Sequence, residues 1–224
     1  MIEEALRFDS EGLALEGRLS YADDTLAPAA AVLICPPHPF LGGDMDNNVI
    51  AALTTALAAA GVPTFRFNYR GIGASECSRD LAGDLEQFWT ASTCPDYEAE
   101  ILVDGTNAFA ELERPLPPPL PLSVIGYSFG TLPAITIARS PRVKRLALIS
   151  PPLSKWSLSP PARELACGVF YAPGDFACPE ARLQSLYESL PQPKLLRTFD
   201  DADHFFVGRE ADLADAVRGF LLER

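Results

Sequence analysis

Five residues constrain this chain more than any others: Gly126-Tyr127-Ser128-Phe129-Gly130. An apolar run, Leu120-Pro121-Leu122-Ser123-Val124-Ile125, leads into them, and a helix-compatible segment, Thr131 to Arg139, leaves them. This is a G-x-S-x-G pattern in a strand–turn–helix setting, the arrangement of a nucleophile elbow. Such a turn leaves no room for side chains beside the serine, and glycine tolerates the backbone angles it needs. The serine is thereby held strained, with its hydroxyl pointing outward. Three fixed residues recur by chance, so the weight of the motif comes from its surroundings.

Those surroundings alternate. Leu13 to Tyr21 has the period of a strand and pairs with Glu3 to Phe8 through the turn Ser10-Glu11-Gly12. Ala29 to Cys35 is a continuous apolar run, as expected of a strand buried on both faces. Asp46 reads as the N-cap of a helix from Asn47 to Ala60, which Gly61 and Pro63 end. Thr64 to Phe67 is a short strand, and helical spacing returns from Tyr97 to Leu112. The proline-rich Pro115 to Pro121 reads as a stiff surface loop, because the sheet pattern resumes directly after it. Arg145 to Ser150, Cys167 to Ala172 and Lys194 to Phe199 are further strands, with helices over Pro179 to Leu190 and Glu210 to Leu222. Strands alternating with helices predict an α/β fold: a mostly parallel central sheet with helices on both faces. A length of 224 residues suits one domain spanning 1–224.

Composition excludes several classes. With 30 acidic against 18 basic residues the net charge is −12, and no basic cluster offers a footprint for nucleic acid. No apolar run is long enough to span a bilayer, and the acidic N-terminus lacks a signal peptide, so no membrane partner is expected. Cys35, Cys77, Cys94, Cys167 and Cys178 are scattered and form no C-x-x-C, which predicts a reducing, cytoplasmic location. Two histidines, neither at ligand spacing from a cysteine pair, predict no metal site.

A serine hydroxyl is a weak nucleophile at neutral pH and needs a base within hydrogen-bond reach. His204 lies just past the last predicted strand, in Asp200-Asp201-Ala202-Asp203-His204-Phe205-Phe206. Asp175, just past the preceding strand, can orient its imidazole. The order Ser128, Asp175, His204 is that of α/β-hydrolases, and all three fall at C-terminal ends of strands, where open α/β sheets place their sites. Asp203 is the rival acid, but sequence neighbours rarely face one another, so it reads as a turn residue. The second histidine, His38, follows the first buried strand, where the loop supplying an oxyanion donor is expected, and it reads as shaping that loop. The backbone N–H of Phe129 is one expected oxyanion donor. Pro39 has no N–H, which makes Phe40 the other.

His38-Pro39-Phe40-Leu41-Gly42-Gly43-Asp44-Met45-Asp46-Asn47 and Arg66-Phe67-Asn68-Tyr69-Arg70-Gly71-Ile72-Gly73-Ala74-Ser75 resemble the signatures of small bacterial α/β-hydrolases, close to the dienelactone hydrolase-like and short-chain carboxylesterase proteins. With the serine motif and Asp203-His204-Phe205-Phe206, the resemblance runs from about residue 32 to 224. It implies a Ser–His–Asp triad, a backbone oxyanion hole, hydrolysis of small esters or thioesters, and neither metal nor organic cofactor. Two departures matter. Dienelactone hydrolases proper use a cysteine where this chain has Ser128, so that activity is not implied. The segment Glu76 to Pro95, carrying Phe88-Trp89, is longer than the pattern and reads as a loop near the site. Leu41, Trp89 and Trp156 are the candidate substrate contacts. The connection Pro151 to Leu165 is too short for a separate lid domain, which predicts an open site for short acyl groups. The expected activity is that of a serine esterase acting on a small-molecule ester. A thioesterase or amidase with the same residues, or a non-catalytic ligand-binding protein, is the alternative.

Overall fold

The computed structural model describes residues 1–23, 28, 30–116 and 120–223. Ala29, at the head of the first predicted buried strand, and the middle of the Pro115–Pro121 connector lie outside the described residues. The chain begins with a hairpin, β1 (Ile2–Ser10) and β2 (Leu13–Tyr21), turned through Glu11 and Gly12 at φ 54° and 87°. Strands and helices then alternate: β3 (Ala31–Cys35), α1 (Asn48–Ala59), β4 (Thr64–Phe67), α2 (Leu81–Ala91), α3 (Pro95–Glu113) and β5 (Leu122–Tyr127). They continue with α4 (Thr131–Ile137), β6 (Val143–Ile149), β7 (Ala166–Tyr171), α5 (Glu180–Ser189), β8 (Lys194–Thr198) and α6 (Glu210–Leu222).

The eight strands form one sheet in the order β1-β2-β4-β3-β5-β6-β7-β8. The hairpin joins β4 antiparallel, and every pairing from β4 to β8 is parallel. All residues of β3, β4 and β5 are buried, as continuous apolar runs require when both sheet faces are covered. Successive β3 side chains point to opposite faces. Leu33 joins a core built with Ile101 of α3 and Ile135 of α4, while Val32 and Ile34 join one built with Leu53 of α1 and Leu213 of α6. Among the described residues no helix is long and apolar enough to cross a membrane.

Two local expectations are corrected. The N-cap of α1 is Asn47, whose side-chain oxygen accepts the Val49 N–H at 3.0 Å; Asp46 instead accepts from Arg18 at 2.8 Å. Both residue types can cap, and Arg18 of β2 has taken Asp46. The segment Glu76 to Pro95 is not a loop throughout, because it contains the helix α2. Asp80 caps α2 by accepting the Gly83 N–H, at 3.3 Å. Only Asp84 and Phe88 of α2 are buried, so the apolar stripe that advertises a helix is nearly absent.

One buried ionic cluster holds the hairpin to the helical layer. The Arg70 guanidinium contacts Asp104 at 2.7 Å, Glu100 at 2.6 Å and Glu11 at 3.1 Å. Asp104 also accepts the Arg70 backbone N–H at 3.0 Å and the Ser10 hydroxyl at 2.6 Å. Burial opposes the charge on Arg70, but these carboxylates outweigh it and hold the guanidinium protonated well above its ordinary range.

Candidate active site

Ser128 directly follows β5 and has φ 51°, in the left-handed region that L side chains rarely adopt. The flanking glycines are required by contact as well as by conformation. A Cβ on Gly126 would lie 2.4 Å from the Gly130 carbonyl oxygen, and one on Gly130 would lie 2.1 Å from that of Cys35. Both obstacles are backbone and neither can rotate away. Gly130→Ala is therefore expected to force β3 and the turn apart and to destabilise the fold by about 3 kcal/mol or more. Chemical denaturation would check this, and a loss below about 1 kcal/mol would mean that the turn is looser than its contacts indicate.

The structure brings Ser128, His204 and Asp175 together, each from the C-terminal end of a parallel strand and each buried. His204 Nε2 is 3.1 Å from Ser128 Oγ, and Nδ1 is 2.9 and 2.8 Å from the two Asp175 oxygens. A carboxylate only accepts, so Nδ1 carries the proton and Nε2 is left as an acceptor facing the hydroxyl. Asp175 is held in turn by the Ala177 N–H at 2.8 Å. The Tyr127 hydroxyl donates to the His204 carbonyl at 2.8 Å and fixes the loop that carries the imidazole. Asp203 accepts the Phe205 N–H at 2.9 Å, a local turn bond, and the His204 ring nitrogens contact Asp175 and Ser128 instead. A hydroxyl so placed can lose its proton to the imidazole as it attacks a carbonyl.

The loop after β3 overturns one expectation. The Phe40 N–H is not free, because it donates to His38 Nδ1 at 3.1 Å. The Leu41 and Gly43 N–H groups both donate to the His38 carbonyl at 3.0 Å, and Gly42 donates to Pro39 at 3.1 Å. Pro36, Pro37 and Pro39 have no N–H to give. From Pro36 to Gly43, the His38 backbone N–H is the one that has no acceptor among the described residues. Sequence alone could not reveal this, since the competing acceptor is a side chain two residues back.

The His38 ring is buried, stacked on Phe88 at 4.6 Å and edge-on to Phe129 at 4.9 Å. Accepting at Nδ1 places the proton of its neutral form on Nε2, which faces Glu98 Oε1 at 3.8 Å, too far for a direct hydrogen bond. Glu98 accepts the Cys94 N–H at 3.0 Å and the Trp156 indole N–H at 3.3 Å. Burial pushes the Glu98 carboxyl up, but His38 and these donors outweigh it and hold it below the usual carboxylate range.

A cavity of about 230 Å³ opens over Ser128 and His204. Leu41 and Trp156 line it, and Trp156 also pins its own loop through Glu98. Trp89 is not part of the lining and is 66% exposed. Adjacent helical residues point about 100° apart, so once Phe88 packs inward against His38, Trp89 must face solvent. Phe176 and Phe205 complete the rim at 5.0 and 5.4 Å from the His204 ring, both largely exposed. Sequence reading missed these two aromatics, although each immediately follows a predicted site residue.

These strands, helices and loops define the α/β-hydrolase fold, without a lid. No protein-family model matches the chain. It is similar to an α/β serine hydrolase without lid from Xanthomonas campestris, with TM-score 0.78, 25% identity, and coverage of 98% of this chain and 93% of that one. A Coxiella burnetii α/β serine hydrolase homologue matches at TM-score 0.79 and 23% identity over 100% and 99% of the two chains. A dienelactone hydrolase from Anabaena variabilis shares the fold at TM-score 0.75 and 16% identity over 99% and 97%. An uncharacterized protein of Rickettsia prowazekii (strain Madrid E) is 30% identical over 142 residues, 62% of this chain and 52% of its own length. The chain thus spans about half the length of that curated relative.

Proposed function

We propose that this protein is a serine hydrolase of small carboxylic esters. The observation that carries the reading is the continuous line of contacts from Asp175 through His204 to Ser128, at 2.8 and 3.1 Å, opening into a cavity. Ser128 attacks the ester carbonyl while His204 takes its proton, and Asp175 stabilises the imidazolium that forms. The oxyanion is held by the backbone N–H groups of Phe129 and of His38, the latter taking the role first expected of Phe40. His204 then protonates the departing alcohol, and water enters to release the acyl group by the same steps in reverse. The cavity is smaller than the roughly 300–1,000 Å³ common for drug-sized ligands, which favours short acyl groups.

The test has two parts. A fluorophosphonate should label Ser128, located by mass spectrometry of the labelled peptide. On p-nitrophenyl esters of rising acyl length, kcat/KM should peak among the shortest. Rising activity with chain length would reject the small-ester reading, and absence of both labelling and turnover would reject the hydrolase reading itself.

A further inference from the structure

Glu98 is a buried acid that the mechanism does not use. It stands in the first turn of α3, is 8% exposed, and does not line the cavity. Three N–H groups nevertheless converge on its two oxygens, two of them from loops distant in the chain. Oε1 accepts the Cys94 N–H at 3.0 Å and faces His38 Nε2 at 3.8 Å, while Oε2 accepts the Trp156 indole N–H at 3.3 Å. His38 and Trp156 both line the cavity, from the loops that follow β3 and β6. Their rings lie 6.5 Å apart and 25° from parallel, and one carboxylate faces the N–H edge of each.

His38 Nε2 is buried and has no hydrogen-bond partner among the described residues, so in this low-dielectric setting the charge it faces decides its state. A carboxylate attracts a proton on Nε2 and repels a lone pair there. It therefore selects the tautomer with Nδ1 unprotonated, and the loop after β3 is built on that tautomer. Nδ1 can then accept the Phe40 N–H, which leaves the His38 backbone N–H as the donor without an acceptor. The opposite tautomer would set an Nδ1 proton against the Phe40 N–H, two donors face to face, and the turn would have to open. Resting on the ester-hydrolase reading above, we infer that Glu98 is a positioning residue: through the His38 tautomer it fixes the loop that carries the second oxyanion donor, and through the indole it fixes the Trp156 wall. A neutral amide cannot replace it. Glutamine has one acceptor oxygen, so its NH2 would meet either the Trp156 N–H or the Cys94 N–H and His38 Nε2.

The test is Glu98→Gln, which keeps the volume and removes the charge. Imidazole nitrogen-15 shifts at about pH 8, where histidine is ordinarily neutral, report which ring nitrogen carries the proton. The chain has two histidines, so the spectrum of His204→Ala assigns the His38 signals. Wild-type His38 should be protonated on Nε2 alone, and in Glu98→Gln the proton should be shared between both nitrogens. On p-nitrophenyl acetate kcat should fall roughly ten- to a hundredfold while KM changes by less than about threefold, because the oxyanion forms only beyond the ground state. A lowered melting temperature with tautomer and kcat unchanged would make Glu98 merely structural and overturn the inference. A fall in kcat with the tautomer unchanged would also overturn it, since the effect would not pass through His38. So would wild-type His38 protonated on Nδ1. Failure of the hydrolase reading would appear separately, as wild-type protein that turns over no ester while its His38 tautomer still responds to Glu98→Gln.

Discussion

Ser128→Ala is expected to lower kcat/KM on short p-nitrophenyl esters by about 10⁴-fold or more, because the attacking atom is removed and no neighbouring group replaces it. Cys35 and Cys178 are thiols in the described core, but burial pushes both up, Cys35 out of the ordinary thiol range and Cys178 to about 12, which leaves them protonated and inert. The structural effect should be small. Alanine loses only the hydrogen bond to His204 Nε2, worth about 1 kcal/mol or less. A melting temperature within about 4 °C of the parent would accompany the lost activity. A variant that kept a tenth of wild-type turnover would remove Ser128 from the mechanism, whatever its distance to His204.

The largest expected loss of stability lies elsewhere, at Asp104. This carboxylate is fully buried and meets the Arg70 side chain, the Arg70 backbone N–H and the Ser10 hydroxyl. Asp104→Ala leaves the buried guanidinium without its main partner, and such removals destabilise by roughly 3–5 kcal/mol. The double variant Arg70→Met, Asp104→Leu removes both charges and should lose clearly less than the sum of the single changes. Denaturant midpoints of Arg70→Met, Asp104→Leu and their combination decide it. Single changes costing under about 1 kcal/mol would show that Glu11 and Glu100, both more exposed, compensate for Asp104. The hairpin β1–β2 is the element most dependent on this cluster, since Glu11 and Ser10 reach the helical layer through it.

Much of this protein was determined by its sequence alone. Buried parallel strands announce themselves as unbroken apolar runs, because both faces are covered and no solvent side remains to alternate. The turn at Ser128 is legible because its glycines answer a demand of close backbone approach, within the turn at Gly126 and against the end of β3 at Gly130. Ser128, Asp175 and His204 could be ordered because each follows a recognisable strand, and parallel topology brings such ends to one edge. The tertiary structure decided what depends on partners distant in the chain or on competition among nearby donors and acceptors. It gave the Phe40 N–H to a histidine ring, and turned Trp89 to solvent by burying Phe88 against His38. It matched Asp46 with Arg18 so that Asn47 caps the helix, and set Lys155 of a loop after β6 against the end of α2. In each case the residue's own chemistry allowed several partners, and packing between non-adjacent segments selected one.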